Sequence, residues 1–237
     1  MSTFTLGETA CPSCAYSFER EVVVGLNGVR RTDLVEAILA GTFQRVTCPS
    51  CGHEHEVEST FEFVDFERGL FLLVHPRSLE PSWRELEGET AELTTHRLGE
   101  LAEPPARALG QGLFIRPVFG HDALREKLLC RREGFDDRRL ELFKLSLLLS
   151  SDLALTAEGR PRLVATDAAE LVFDHALPAG ADEGLEVSIR VPRGLFDDFD
   201  PGAFGDVARE LELGSYVDLG RVLGVRPAEG EGAVPWP

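Results

Sequence analysis

The sequence predicts an α+β fold in three parts: an N-terminal zinc-ribbon-like β module with an inserted helix, a helix pair, and a C-terminal, mainly antiparallel β region with a helix. Three observations carry this expectation. The tetrapeptide Cys-Pro-Ser-Cys occurs twice, at residues 11–14 and 48–51. Two stretches of helical periodicity, residues 123–132 and 137–149, meet at Gly134. From Asp152 onward, short β-rich runs alternate with turns such as Glu158-Gly159-Arg160-Pro161.

The chain has 237 residues, 43% hydrophobic and 27% charged, which is ordinary for a globular protein of one large domain or two small ones. Its formal net charge of −17 argues against a surface that tracks phosphate backbones or anionic lipid. Within residues 1–76, five arginines face eleven acids. Only Lys127 and Lys144 are lysines; the other basic side chains are arginines, a bias that a GC-rich genome suffices to produce. Met1-Ser2-Thr3-Phe4-Thr5 lacks the basic and apolar regions of a secretory signal, and no apolar run approaches a bilayer span. The expectation is a soluble, acidic, cytoplasmic protein. Five cysteines, four of them in two tight pairs, fit a reducing compartment with metal better than a disulfide framework, which leaves Cys130 unmatched.

The order of elements follows from local pattern. Residues 1–10 read as a strand ending at the first Cys-Pro-Ser-Cys, and 18–24 as a second strand running into Gly25-Leu26-Asn27-Gly28. A helix opens at Thr32-Asp33, with Asp33 as cap, Glu36 reaching back to it, Leu34 and Ile38 on one face, and Gly41 as the left-handed exit. Residues 43–47 return the chain to Cys48. Val57, Ser59, Phe61 and Phe63 alternate with acids and Thr60 as a half-buried strand, and Leu70 to Val74 is apolar on both sides, as in a central strand. This zinc-ribbon-like region spans residues 1–76.

Residues 77–151 read as a proline-containing linker, with a short helix near 83–86, followed by the helix pair. In the second of the pair Asp136 is the N-cap, and Phe135 and Leu140 form a hydrophobic staple. Residues 152–226 offer strands at 153–156, 163–166, 171–173 and 185–191, a helix near 203–211, and an extended or helical segment at 216–223. Residues 227–237, rich in Pro, Gly and Glu, read as a flexible tail.

Cys11, Cys14, Cys48 and Cys51 are the candidate metal ligands. In each Cys-Pro-x-Cys the turn aims two sulfurs and intervening amide N–H groups at one point, proline presets the turn, and Gly52 closes the second without a Cβ clash. Two such turns describe one tetrahedral Zn²⁺ held by four thiolates, with no open position for catalysis. The long gap between them is filled by strand, turn, helix and returning strand. The rival, glutaredoxin-type redox chemistry, needs a helix directly after the first cysteine, where residues 15–24 are extended.

No catalytic or cofactor-binding residue stands out. His53 and His55 share one face of a strand and are read as its solvent-facing start, one of them within reach of a zinc thiolate. His75, His96, His121 and His175 are read as cap or core residues, Cys130 as a buried inert thiol, and Asp197-Asp198-Phe199-Asp200 as a capped turn without the spacing of a calcium loop. Walker, Rossmann, nucleophile-elbow and His-Glu-x-x-His motifs are absent from the sequence.

The run Cys11-Pro12-Ser13-Cys14, Leu26-Asn27, Leu34 to Gly41 with Phe43, Cys48-Pro49-Ser50-Cys51-Gly52, Val64-Asp65 and His75-Pro76 resembles the bacterial CpXC-domain family. Longer members are also similar in the helix pair, Leu124-Arg125-Glu126-Lys127 with Gly134 to Arg138 and Glu141 to Lys144. The resemblance covers about the first 150 residues. It implies a zinc-bound domain ligated by Cys11, Cys14, Cys48 and Cys51, and brings no activity. Ala15 departs from it, because relatives often place glycine after both knuckles.

The functional expectation is a structural-zinc protein acting as an interaction, scaffold or adaptor component, bound to another protein or to itself, with Trp83 and Trp236 as contact residues. Two alternatives stand beside it. One is a zinc-ribbon nucleic-acid-associated factor, which the charge disfavours. The other is an enzyme whose inter-domain site gathers His53, His121, His175 or Asp197.

Overall fold

The computed structural model describes residues 2–150, 159–176 and 186–224. It has an α+β architecture built on a five-stranded sheet of order β1-β2-β5-β6-β7. Strand β1 (Thr3–Ala10) and β2 (Ser17–Asn27) form a long antiparallel hairpin with the first knuckle at its tip. Helix α1 (Thr32–Ala40) follows, ending at Gly41 in the left-handed conformation, φ 71°. Its expected capping box does not form. The helix starts earlier than such a cap requires, with Arg31 at the N-cap, and Asp33, inside the first turn, receives two hydrogen bonds from the Arg31 guanidinium at 2.9 and 2.8 Å.

A second, short hairpin, β3 (Arg45–Thr47) with β4 (Glu54–Glu56), carries the second knuckle at its tip. The alternating stretch after it does not form one continuous strand. Residues 57–60 are irregular, and pairing resumes in β5 (Phe61–Asp65). The reason is that their polar groups are taken elsewhere. The amide of Val57 donates to Gln44 O, Gln44 Nε2 donates to Val57 O, and Ser59 Oγ donates to Val23 O. Strand β5 runs parallel to β2 and antiparallel to β6 (Leu70–His75), every residue of which is buried.

Both faces of β6 are covered, as its unbroken apolar run requires. Leu70, Leu72 and Val74 join a core shared with Ile38 of α1 and, beyond it, Ala123, Leu124 and Leu128. Phe71 and Leu73 point the other way, toward helix α2 (Trp83–Arg97), whose Arg97 guanidinium lies 5.9 Å over the Phe71 ring. A 3₁₀ turn at Arg77–Ser82 leads into α2. The short helix expected near residues 83–86 is therefore fifteen residues long. Its only apolar signal is a thin stripe, Trp83, Leu86 and Leu93, in a polar and Thr-rich background. Helix α3 (Pro104–Gly110) and strand β7 (Phe114–Phe119), both unanticipated, complete the crossover back to the sheet. β7 contains Pro117 and pairs with β6 alone, the edge position at which a missing N–H costs no ladder bond.

Helix α4 (His121–Glu133) ends at Gly134, φ 72°, and α5 (Asp137–Leu149) starts under an N-cap in which Asp136 accepts from the Arg138 amide. Both were expected. After residues outside the description, β8 (Arg162–Thr166), β9 (Glu170–Ala176) and β10 (Glu186–Pro192) form an antiparallel sheet. Leu163, Leu171, Phe173 and Val191 pack from it onto Leu140 and Phe143 of α5. The strand expected at 153–156, residue 236 and the tail from 227 lie outside the described residues.

Helix α6 (Arg193–Asp197) ends against Arg139, whose Nη2 donates to the carbonyls of Phe196, Asp197 and Phe199. Asp200 caps the 3₁₀ turn Pro201–Phe204, so the acidic stretch is the capped turn that its composition suggested. Helices α7 (Gly205–Glu212) and α8 (Leu219–Leu223) close the described chain. Trp83 is not a contact residue. It is 3% exposed, packed 5.2 Å from Tyr216 with Phe119 beside them, because the segment before α8 folds back over α2.

The parts are locked together by buried charge. Arg116, Lys127, Lys144, Arg160 and Arg162 meet Glu80, Glu126, Asp137, Glu141 and Asp218, all buried. Lys144 Nζ donates to Glu126 Oε1 and Glu141 Oε1, each at 2.9 Å. Lys127 Nζ donates to Asp137 and to the Val217 carbonyl, and Glu141 accepts from the Leu219 amide. Arg160 Nη2 donates to both oxygens of Glu80, which also accepts from Tyr216 Oη. Within this network five cations face five carboxylates, the near balance of charge that burying any of them requires.

Candidate metal centre

Each knuckle is built twice over by the same backbone pattern. In the first, the Cys11 amide donates to Tyr16 O at 3.0 Å and the Ala15 amide to Cys11 O at 2.8 Å. In the second, the Cys48 amide donates to His53 O and the Gly52 amide to Cys48 O, both at 2.9 Å. The closing residue is left-handed in both, φ 57° at Ala15 and 77° at Gly52. Ala15 therefore accepts the strained conformation that glycine takes freely, and the departure from a glycine at this position leaves the turn unchanged.

The two hairpin tips bring Cys11, Cys14, Cys48 and Cys51 together, with all four sulfurs within 4.8 Å of one another. Cys11 Sγ to Cys51 Sγ and Cys14 Sγ to Cys48 Sγ are both 3.7 Å. A disulfide needs about 2.05 Å, and all four thiols are free. A tetrahedron of sulfurs about 2.3 Å from a central ion has edges of roughly 3.8 Å. The spacing fits a four-coordinate ion and no covalent bond.

The electrostatics agree. Burial raises the Cys48 thiol, yet the Cys51 and Ser50 amides and the neighbouring sulfurs outweigh it and bring it down to about 7. Cys51 is the reverse: the His53 amide lowers it, but hydrogen bonding with Cys14, burial, and contact with Cys11 and Cys48 push it up to about 12. Four thiolates at these distances repel one another, so the fourth proton leaves readily only when a cation takes its place.

The histidines stay apart from this centre. His53 is exposed and stacks on His55 at 5.9 Å, and His55 packs edge-on to Phe18 at 6.2 Å. Neither joins the four sulfurs as a grouped ligand. What His53 supplies is backbone, its carbonyl to Cys48 and its amide toward Cys51. Cys130 is 2% exposed in α4, with burial and Glu126 driving its thiol well above the ordinary range, as expected of an inert core residue.

Glu126, Glu141 and Asp218 also place carboxylate oxygens within 4.8 Å of one another. Lys144 and Arg162 already fill the space between them, so the cations that balance this cluster are side chains. The cavity beside the start of α4 gathers His121 but not His53, His175 or Asp197. The convergence on which an inter-domain enzyme site was expected to rest is not formed among the described residues. No described helix is long and apolar enough to cross a membrane.

No curated protein and no solved structure matches this chain. A family model described as CpXC protein matches residues 9–144, more than half of the chain, and includes both knuckles, strands β2 to β7, helix α4 and α5 as far as Lys144. Matched cysteine turns, their meeting at the tips of two hairpins and most of the helix pair that follows lie within it, and the chain belongs to the CpXC protein family.

Proposed function

We propose that the four thiolates hold one structural Zn²⁺ and that the protein acts as an interaction or scaffold component, binding another protein or a second copy of itself. The observation that carries the metal assignment is the cluster of four sulfurs within 4.8 Å of one another, two of whose separations are 3.7 Å. Thiolate softness and this geometry suit zinc, and four protein ligands leave no position for a substrate. The ion's work is then to clasp two hairpins. Binding to a partner is supported by the flank of the longer hairpin, where Leu6 is 70% and Tyr16 48% exposed beside the outer edge of β1. An unpaired strand edge bordered by apolar side chains is a common docking element.

Native mass spectrometry of the purified protein, with cobalt substitution as a spectroscopic check, tests both parts. One equivalent of metal, the absorption of a tetrahedral tetrathiolate, and a mass corresponding to a complex are expected. A folded protein free of metal would refute the first part, and a monomer at every concentration without any stable complex would refute the second.

A further inference from the structure

A cavity of about 360 Å³ lies where the β3–β4 hairpin, the exit of α1, the start of α4 and strands β8 and β9 meet. Five arginines line it together with His121: Arg45 and Arg77, which face Glu56 and Asp122, and Arg125, Arg160 and Arg162. Arg160 and Arg162 have side chains only 3% and 6% exposed, and His121 7%. Among the described residues no hydrogen-bond acceptor reaches Arg125 Nε, Arg160 Nε and Nη1, Arg162 Nε and Nη2, or either ring nitrogen of His121. Some have looser ionic neighbours: Arg160 Nη1 is 3.3 Å from Asp218, Arg162 Nε 3.3 Å from Asp122, and His121 Nδ1 3.5 Å from Glu56. Buried donors left without acceptors are costly in a native fold and need an explanation.

The acids in the cavity do not supply those acceptors. Glu58 accepts from the Arg77 amide at 2.7 Å, Asp122 pairs with Arg77, and Glu56 stands 3.5 Å from both Arg45 and His121. Asp174 alone acts on Arg125, and burial still lowers the Arg125 pKa despite it. Behind the wall, Glu80, Glu126 and Asp218 already balance the charges of Arg160 and Arg162. What the wall offers is therefore a set of planar N–H donors with little net positive field. That combination suits a singly charged planar acceptor better than a phosphate dianion, whose second charge would meet Asp174, Glu56 and Glu58.

We propose that this cavity is a binding site for a small carboxylate-bearing molecule, held by Arg125 with Arg160 and Arg162 in the wall beside it. The proposal does not rest on the zinc reading. Its test is thermal unfolding and calorimetric titration of the metal-loaded protein with acetate, succinate and inorganic phosphate at constant ionic strength, with metal content followed throughout. A carboxylate is expected to raise the melting temperature saturably while phosphate does not. Arg125→Gln should remain folded, losing only its longer-range attraction to Asp174, and weaken carboxylate binding at least tenfold; Arg209→Gln, outside the cavity, should leave binding unchanged. Carboxylates that act no differently from chloride, phosphate that binds more tightly than they do, or an Arg125→Gln variant that binds as well as the parent would each overturn the proposal.

Discussion

Replacing Cys48 by Ser removes one thiolate from the centre while changing side-chain volume little. The size of the effect can be worked from the chain's topology. The Cys14–Cys48 contact closes a loop of 34 residues. A cross-link over such a loop restrains the unfolded chain by about 4 kcal/mol, and a structural zinc contributes roughly 10 kcal/mol or more when its site exists only in the folded state. A single hydroxyl in place of Cys48 cannot ionise near neutral pH, and the Ser50 and Cys51 amides lose their thiolate acceptor. The expected loss is at least about 4 kcal/mol, a large fraction of the ~5–15 kcal/mol that holds an ordinary domain together. Urea unfolding read by circular dichroism, with zinc quantified on the same samples, measures it, and Cys130→Ser serves as the thiol control. One equivalent of zinc retained in Cys48→Ser with an unmoved urea midpoint would refute the four-thiolate clasp.

Three further outcomes follow from named contacts. Ala15→Gly should stabilise the metal-bound protein by up to about 1 kcal/mol, because Ala15 is exposed and left-handed at φ 57°, whereas Gly52→Ala should cost a similar amount at φ 77°; matched denaturation midpoints for the two variants would contradict this. Lys144→Met should cost about 3–5 kcal/mol, since it strands Glu126 and Glu141 without their shared ammonium, and a variant as stable as the parent would show that the network contributes nothing net. Burial raises the Asp137 carboxyl, but Lys127 and Arg116 outweigh it and hold it down to about 2, below its ordinary 3.8. A depressed folded-state value contributes stability that is present above pH 3.8 and lost as pH falls toward 2, on the order of 2 kcal/mol. Asp137→Asn should therefore lower stability at neutral pH and flatten its decline between those limits, and an unchanged acid limb in chemical denaturation would count against it.

Much of the metal centre is local chemistry and was legible in the sequence. The knuckles, the Gly41 and Gly134 exits, the Asp136 cap and the buried β6 each rest on residues within one or two turns of chain. The reading failed where local pattern was weak or misleading. α2 has too thin an apolar stripe to declare fifteen residues of helix, and β7 carries a proline and an arginine in a strand. The Asp33 cap failed because the helix starts at Thr32, which places Asp33 inside its first turn, paired with Arg31. Trp83 sat in a polar sequence context that said nothing of Tyr216 folding over it from 133 residues away. One signal was present and undervalued: the only two lysines both lie in the leucine-rich helix pair, and both prove to be buried among carboxylates.

By itself the sequence determined which four cysteines cluster, the two matching turns that aim them and the corner between α4 and α5, because each is set by backbone conformations that neighbouring residues impose. Only the tertiary structure decided which carboxylate meets which cation, and that Arg125, Arg160 and Arg162 share one cavity. Lys127 reaches Val217 across 90 positions and Arg160 reaches Glu80 across 80. No periodicity encodes such pairs. A buried charge is stable only beside its counter-charge, and which counter-charge is near depends on how the helices and the two sheets pack around the hydrophobic cores.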